Sequence, residues 1–297
     1  MEHVDKNKGA EKAHSILSGF MTRCSEDALL PDNDLYSKLD SDRNHDEPNS
    51  DTTKNILKRQ LLEESCNRCC YCMRSIDESN TTLEHIIPNK ILDAKRYEEY
   101  RDYFPKNNWN NLVFSKDFLA NPRWPYRAFP HTIAYENLIP SCNGKFEKIS
   151  SADSHARDTR IPKCCNNKRG DEFVIPFVLN KQMVSEFKYL RSGYVIWPVD
   201  REIIGEERKK LVEEHKRTID VLGLNCDELV AIRRIWCFLS SIRKDCTAKI
   251  KDSTVLFLTE DDDLTDDELN MLRNFWNDNY WCLLEEYRYF NDKARFQ

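Results

Sequence analysis

The chain of 297 residues is 40% hydrophobic and 32% charged, with a formal net charge of −6 and only seven glycines, the profile of a folded, helix-rich protein. A mean hydropathy of −0.72, and the lack of any apolar run near the roughly 20 residues of a spanning helix, argue against a membrane protein. The opening residues, Met1 to Lys6, lack the basic-then-apolar layout of a secretion signal, so a cytoplasmic protein with room for two domains is expected.

The charge is uneven. Residues 1–50 hold 6 Lys/Arg against 11 Asp/Glu, residues 51–180 hold 20 against 17, and residues 181–297 hold 19 against 23. Only the middle is net positive, and by less than the conspicuous basic face of a strong nucleic-acid binder. The acidic flanks suggest that a partner helps to hold such a substrate. Twelve cysteines suit a disulfide scaffold only in a short secreted chain. Here Cys66, Cys69, Cys70 and Cys72 crowd together in an expected reducing compartment, which favours metal binding. Cys24, Cys226, Cys237, Cys246 and Cys282 stand alone and read mostly as small buried hydrophobes.

In chain order, residues 1–53 form a polar N-terminal appendage and linker. A short amphipathic helix is expected over Glu11–Thr22, where Ala13, Ile16, Leu17 and Phe20 share a face. Residues 40–53 offer nothing to bury. The next helix, Lys54–Glu64, sets Ile56, Leu57, Gln60 and Leu61 on one side and delivers the chain to the half-knuckle Cys69-x-x-Cys72. Cys66-x-x-Cys69 is a second register. A redox pair uses the same spacing, but no βαβ pattern surrounds it.

Glu84-His85 then sits in an apolar run closed by Pro88. In a strand these two side chains point to opposite faces, so both serve one site only where the strand ends or kinks. An insertion at about 91–134 is rich in aromatic and basic residues: Tyr97, Tyr100, Arg101, Tyr103, Trp109, Arg123, Trp124, Tyr126 and Arg127. It reads either as a packed accessory element or as a platform where rings stack bases and arginines take phosphates.

Glu136-Asn137-Leu138 and Ser141-Cys142 follow, then Lys163-Cys164-Cys165-Asn166-Asn167-Lys168-Arg169-Gly170. Phe173–Leu179 and Tyr194–Trp197 suggest short strands, with Gly193 at a turn. Residues 181–297 are otherwise expected to be helical: Glu206–Asp220, then Leu229–Ile242 opened by the capping box Asn225-x-x-Glu228, then a last helix from Thr265-x-x-Glu268 through Leu284. Asp261-Asp262-Asp263 reads as a solvated acidic loop.

Together, Cys69-x-x-Cys72, Glu84-His85, Asn137-Leu138, Cys142 and the Cys165-Asn166-x-Lys168-Arg169-Gly170 stretch resemble the core of HNH nucleases. Arg169 stands where lysine is usual in that family. With Phe187-Lys188-Tyr189, Gly193-Tyr194-Val195 and Thr218 to Asn225, the likeness over roughly residues 55–245 extends to the HNH nuclease subunit of bacterial anti-phage systems of the Septu and retron-associated type. Those subunits work beside an ABC-like ATPase.

The resemblance implies an α+β, mostly helical chain: a zinc-stapled ββα-metal core at 54–180 and a mainly helical region at 181–297 for partner docking. It implies His85 as general base and Asn137 as a brace for the loop carrying it. Glu84 and Asn166 would hold a catalytic Mg²⁺ or Mn²⁺. Cys69, Cys72, Cys142 and Cys165 would hold a structural Zn²⁺, with Cys164 as an alternative fourth ligand, and Lys168 and Arg169 would take phosphate. The expected activity is hydrolysis of phosphodiester bonds in DNA. A zinc-stapled binding module without catalysis is the alternative from another class.

Overall fold

Apolar residues one helical turn apart decide the first elements. The computed structural model describes residues 1, 3–27, 34–43, 51–91, 93–120, 128–146, 163–197, 206–242, 284–287 and 289. Ala13, Leu17, Phe20, Met21 and Cys24 make one buried stripe along helix α1 (Ala10–Glu26), as a period of 3.6 requires. Helix α2 (Leu35–Ser41) buries Leu35 and Leu39, and its capping residue Asp34 accepts the Ser37 N–H. Helix α3 (Thr53–Glu64) is capped by Thr52 and buries Leu57, Leu61 and Leu62; each such leucine contributes about 2 kcal/mol.

The chain divides into two compact units. One comprises Met1–Tyr71, Ile76–Asn143 and Arg169–Ser185; the other comprises Cys72–Ser75, Gly144–Lys168 and Glu186–Gln297. In the first, α1 and α2 both pack on α3, so the described part of residues 1–53 shares that unit's core. After α3 come β1 (Thr81–His85), α4 (Ala94–Glu98), α5 (Lys106–Trp109), β2 (Leu112–Val113), α6 (Ser115–Ala120), β3 (Phe129–Pro130) and β4 (Leu138–Cys142). Strands β1 and β4 pair antiparallel, from Thr81↔Cys142 to His85↔Leu138. Pro140 is tolerated because each strand of a two-stranded sheet is an edge. The short strands β2 and β3 run parallel.

The insertion's aromatics pack on one another. Tyr97 lies 4.9 Å from Trp109 and 5.1 Å from Phe114 between ring centroids, and Tyr100 lies 4.8 Å from Phe173. Tyr97 and Tyr100 are buried, which removes them as open stacking surfaces. Arg123, Trp124, Tyr126 and Arg127 lie outside the described residues.

Beyond Cys142 come α7 (Cys165–Arg169), α8 (Lys181–Glu186), β5 (Lys188–Tyr189), β6 (Val195–Ile196), α9 (Glu206–Val221) and α10 (Asp227–Ile242). Strands β5 and β6 form a hairpin turned by Gly193 at φ +87°, where a Cβ would lie 2.1 Å from Val230 O; only glycine fits.

Two sequence expectations are corrected. Phe173–Leu179 is not a strand: it ends in a 3₁₀ turn, Phe177–Leu179, and its apolar residues Val174, Ile175, Phe177 and Val178 are simply buried. A short apolar run carries no periodicity to separate the two cases. The box Asn225-x-x-Glu228 does not form, because the Asn225 side chain is spent on β6. It accepts the Val195 N–H at 2.8 Å and donates to Val195 O at 2.9 Å.

The architecture is α+β, with about half of the described residues helical and three two-stranded sheets among them. None of their helices is long and apolar enough to cross a membrane. The helix expected from Thr265, apart from Leu284, the acidic run 261–263, Cys246 and Cys282 lie outside the described residues.

Candidate active site and metal centre

The sulfur atoms of Cys69, Cys72, Cys142 and Cys165 all lie within 4.8 Å of one another, and all four residues are buried. Tetrahedral zinc, about 2.3 Å from each sulfur, holds its ligands roughly 3.8 Å apart, so the grouping can hold a metal such as zinc with little adjustment. Local backbone sets it up. Cys66 and Asn67 adopt left-handed φ of 52° and 56° as the chain leaves α3, and the Cys70 N–H donates to Pro140 O at 3.2 Å. Cys165 also has positive φ, 53°, and its N–H donates to Leu222 O at 2.7 Å. Cys164 and Cys66, the alternative ligands, are outside the grouping, and Cys66 is exposed. Cys69 Sγ lies 3.8 Å from Ser141 Oγ, and Cys72 Sγ lies 3.8 Å from the Tyr287 hydroxyl.

Glu84 and His85 are the last two residues of strand β1, immediately before the chain leaves it for a loop. Asn137, fully buried at the end of the 3₁₀ turn just before β4, clasps the loop that follows β1. Its Oδ1 accepts the Ile87 N–H at 2.7 Å, and its Nδ2 donates to Ile87 O at 2.9 Å and His131 O at 2.7 Å. Its main-chain carbonyl accepts the Ile86 N–H at 2.9 Å. One side chain thus ties two stretches about 50 residues apart.

His85 Nε2 lies 2.8 Å from Thr132 O. A carbonyl only accepts, so Nε2 carries the proton and Nδ1 keeps the lone pair. Burial pushes the ring's pKa down to about 4, so it is neutral at pH 7. His131 is neutral by the same cause, also near 4, and its Nδ1 accepts the Ser115 N–H at 3.1 Å. The Tyr36 ring meets His85 edge-on, with centroids 4.5 Å apart and planes at 71°.

Glu84 Oε1 accepts from Arg169 Nη1 at 2.5 Å. Arg169 has no exposed side-chain surface. Its guanidinium also donates to His85 O and Ile86 O, each at 2.6 Å, and to Glu172 O at 3.0 Å. A guanidinium so engaged fastens the loop and leaves little for a phosphate. Burial pushes the Glu84 carboxyl up to about 7, against the pull of Arg169. Glu84 Oε1 is the oxygen that Arg169 holds; the carboxylate as a whole remains a hard donor of the kind Mg²⁺ and Mn²⁺ select. Asn166 is half-buried on α7, and Lys168 is exposed.

No protein-family model and no curated protein matches the chain.

Sequence reasoning missed Tyr36, Thr132, His131 and the embrace of Arg169. Thr132 acts through its main-chain oxygen, which side-chain identity does not reveal. Tyr36 stands in a stretch read as an appendage, with no motif around it.

Proposed function

We propose that the chain is a metal-dependent endonuclease of the HNH type that hydrolyses phosphodiester bonds in DNA, the effector of an anti-phage defence system beside an ABC-like ATPase. What supports this most is the end of β1. A neutral histidine with its lone pair on Nδ1 stands beside an acid, next to a loop clasped by the asparagine just before the partner strand. In this reading His85 Nδ1 takes a proton from water. The water oxygen forms the new bond to phosphorus, the bond to the leaving sugar oxygen breaks, and solvent reprotonates that oxygen. Asn137 and Thr132 O orient the base, and exposed Lys168 supplies a cation for the substrate backbone.

Glu84 and Asn166, both oxygen donors, would hold Mg²⁺ or Mn²⁺, which when bound offsets charge developing on the phosphoryl oxygens. The four cysteines would hold Zn²⁺ as a structural staple, taking no part in the chemistry. Arg169 braces the loop and is assigned no phosphate.

A binding module without catalysis is the competing reading. The burial of Glu84 and His85, 5% and 9% exposed, favours it. Supercoiled plasmid incubated with the protein and Mg²⁺ or Mn²⁺, beside EDTA and His85→Ala controls, separates the two. Nicking that needs metal and disappears in the variant supports the nuclease. Equal behaviour of variant and parent, with and without the ATPase partner, supports the module.

A further inference from the structure

The candidate base is covered in this structure, and the cover comes from outside the motif-bearing stretch. His85 is fixed on one side by Thr132 O at 2.8 Å. On another it meets the ring of Tyr36, from α2, at 4.5 Å. The Tyr36 hydroxyl lies 3.4 Å from Leu83 O, so the phenol runs along β1 from Leu83 to His85. Above it, Lys54 Nζ sits 4.9 Å from the Tyr36 ring centroid and pairs with Asp40 at 2.7 Å. A general base acts only within about 3 Å of the proton it takes, and a nucleic-acid strand cannot approach His85 that closely through this stack.

The fastening is lopsided. At the C-terminal end of α2, Asp42 accepts from Arg23 Nε at 2.8 Å and from the Thr53 hydroxyl, and it caps the helix. Tyr36 itself is held by a long hydroxyl contact, an edge-on ring pair and a cation over its ring face, beside the buried Leu35. Each polar contact there is weak in kind.

We propose that α2 is an autoinhibitory gate with Tyr36 as its plug, and that a phosphodiester reaches His85 only after the Tyr36 end has swung away. The proposal rests on the nuclease reading of the site. Burial of Leu35 keeps the gate shut at rest, and the Asp42 anchor keeps α2 attached when it opens.

The test reads access and cutting separately in the full chain. Site-resolved modification by diethyl pyrocarbonate, followed by peptide mass mapping, reports access to His85, with half-buried His14 as the internal reference. Plasmid nicking with Mn²⁺ reports activity. In Tyr36→Ala, His85 is expected to react about tenfold faster, the factor that loss of one aromatic pair allows, with His14 unchanged and nicking raised in parallel. Tyr36→Phe keeps the ring and should match the parent. Lys54→Ala loosens the outer layer and should give about a two- to threefold rise in both readouts, which keeps the test open should Tyr36→Ala not fold.

An unchanged His85 rate in folded Tyr36→Ala overturns the gate. Faster modification with slower cutting also overturns it and makes Tyr36 a positioning residue. Faster modification with no cutting in any protein, with and without the ATPase partner, upholds the gate over His85 and sinks the nuclease reading.

Discussion

The four-cysteine grouping and the end of β1 are both buried, yet they answer burial in opposite ways. At the cysteines, four buried thiols converge into a grouping that could hold a structural metal such as zinc. At β1 the chain supplies its own compensation: Arg169 neutralises Glu84 and satisfies the carbonyls of His85 and Ile86. With a metal bound, the first region would draw its stability from that ion, whereas the second draws it from a guanidinium. The difference predicts which region fails under which insult.

The largest effect is expected from removing the metal. A structural zinc contributes on the order of 10 kcal/mol at neutral pH. Strong chelation, or Cys69→Ser or Cys142→Ser, is therefore expected to unfold the described core. Circular dichroism with metal quantified by mass spectrometry checks this. A chain that binds close to one zinc and melts tens of degrees lower without it bears out the assignment. A melting temperature indifferent to chelators refutes the staple and removes half of the contrast.

Next comes Arg169→Ala, which leaves the Glu84 carboxyl buried without its partner and orphans two loop carbonyls. Breaking a buried pair from one side costs about 3–5 kcal/mol. Denaturant melts of Arg169→Ala against Glu84→Gln check it. The glutamine is expected to cost less, because Arg169 keeps its bonds to the His85, Ile86 and Glu172 carbonyls. Equal losses in both would show that the ion pair both variants break, not the carbonyl bonds that only Arg169→Ala removes, holds the loop.

Much of the contrast is visible in the sequence, but only its local half. Cysteine ligands arrive in a tight pair, Cys69-x-x-Cys72, and the stripes of α1, α3, α9 and α10 follow the 3.6 period closely enough to place them. The compensation at β1 is not visible, because Arg169 and Glu84 are 85 positions apart and no periodicity links them. Tyr36 reaches His85 across α3 and the knuckle, and a polar stretch such as 40–53 hides the fact that Leu35 and Leu39 have a core to enter. Asn225 shows the opposite failure. A good capping pattern was overridden by a strand two residues long that needed both of its main-chain groups satisfied.

A smaller effect separates the regions by acid. His85 and His131 are held near pKa 4 by burial, against an ordinary value of 6.5. Once unfolded, each ring takes up a proton below about 6.5. Between pH 6.5 and 4 the unfolded chain therefore binds more protons, and stability falls as pH falls. Each ring contributes about 1 kcal/mol per pH unit; above 6.5 neither state is protonated and the contribution is flat. Urea melts at pH 7, 6 and 5 on the parent and His131→Phe test this. The variant should lose about half of the slope, and an unchanged slope would place the acid sensitivity elsewhere.

The smallest effect serves as a control for the buried pair. Arg59 and Asp51 also pair, but with 41% and 33% of their side-chain surfaces exposed. Hydrogen bonds from Asn55 and then Arg59 hold the Asp51 carboxyl down near 2, yet solvent screens most of that interaction. Arg59→Ala is expected to cost under about 1 kcal/mol and to lose even that in molar salt, whereas the Arg169→Ala penalty should barely respond to salt. Denaturant melts of both variants at low and high salt check the pair. Matching salt responses would mean that water reaches Glu84 as freely as Asp51, and that the β1 end does not rely on a buried guanidinium.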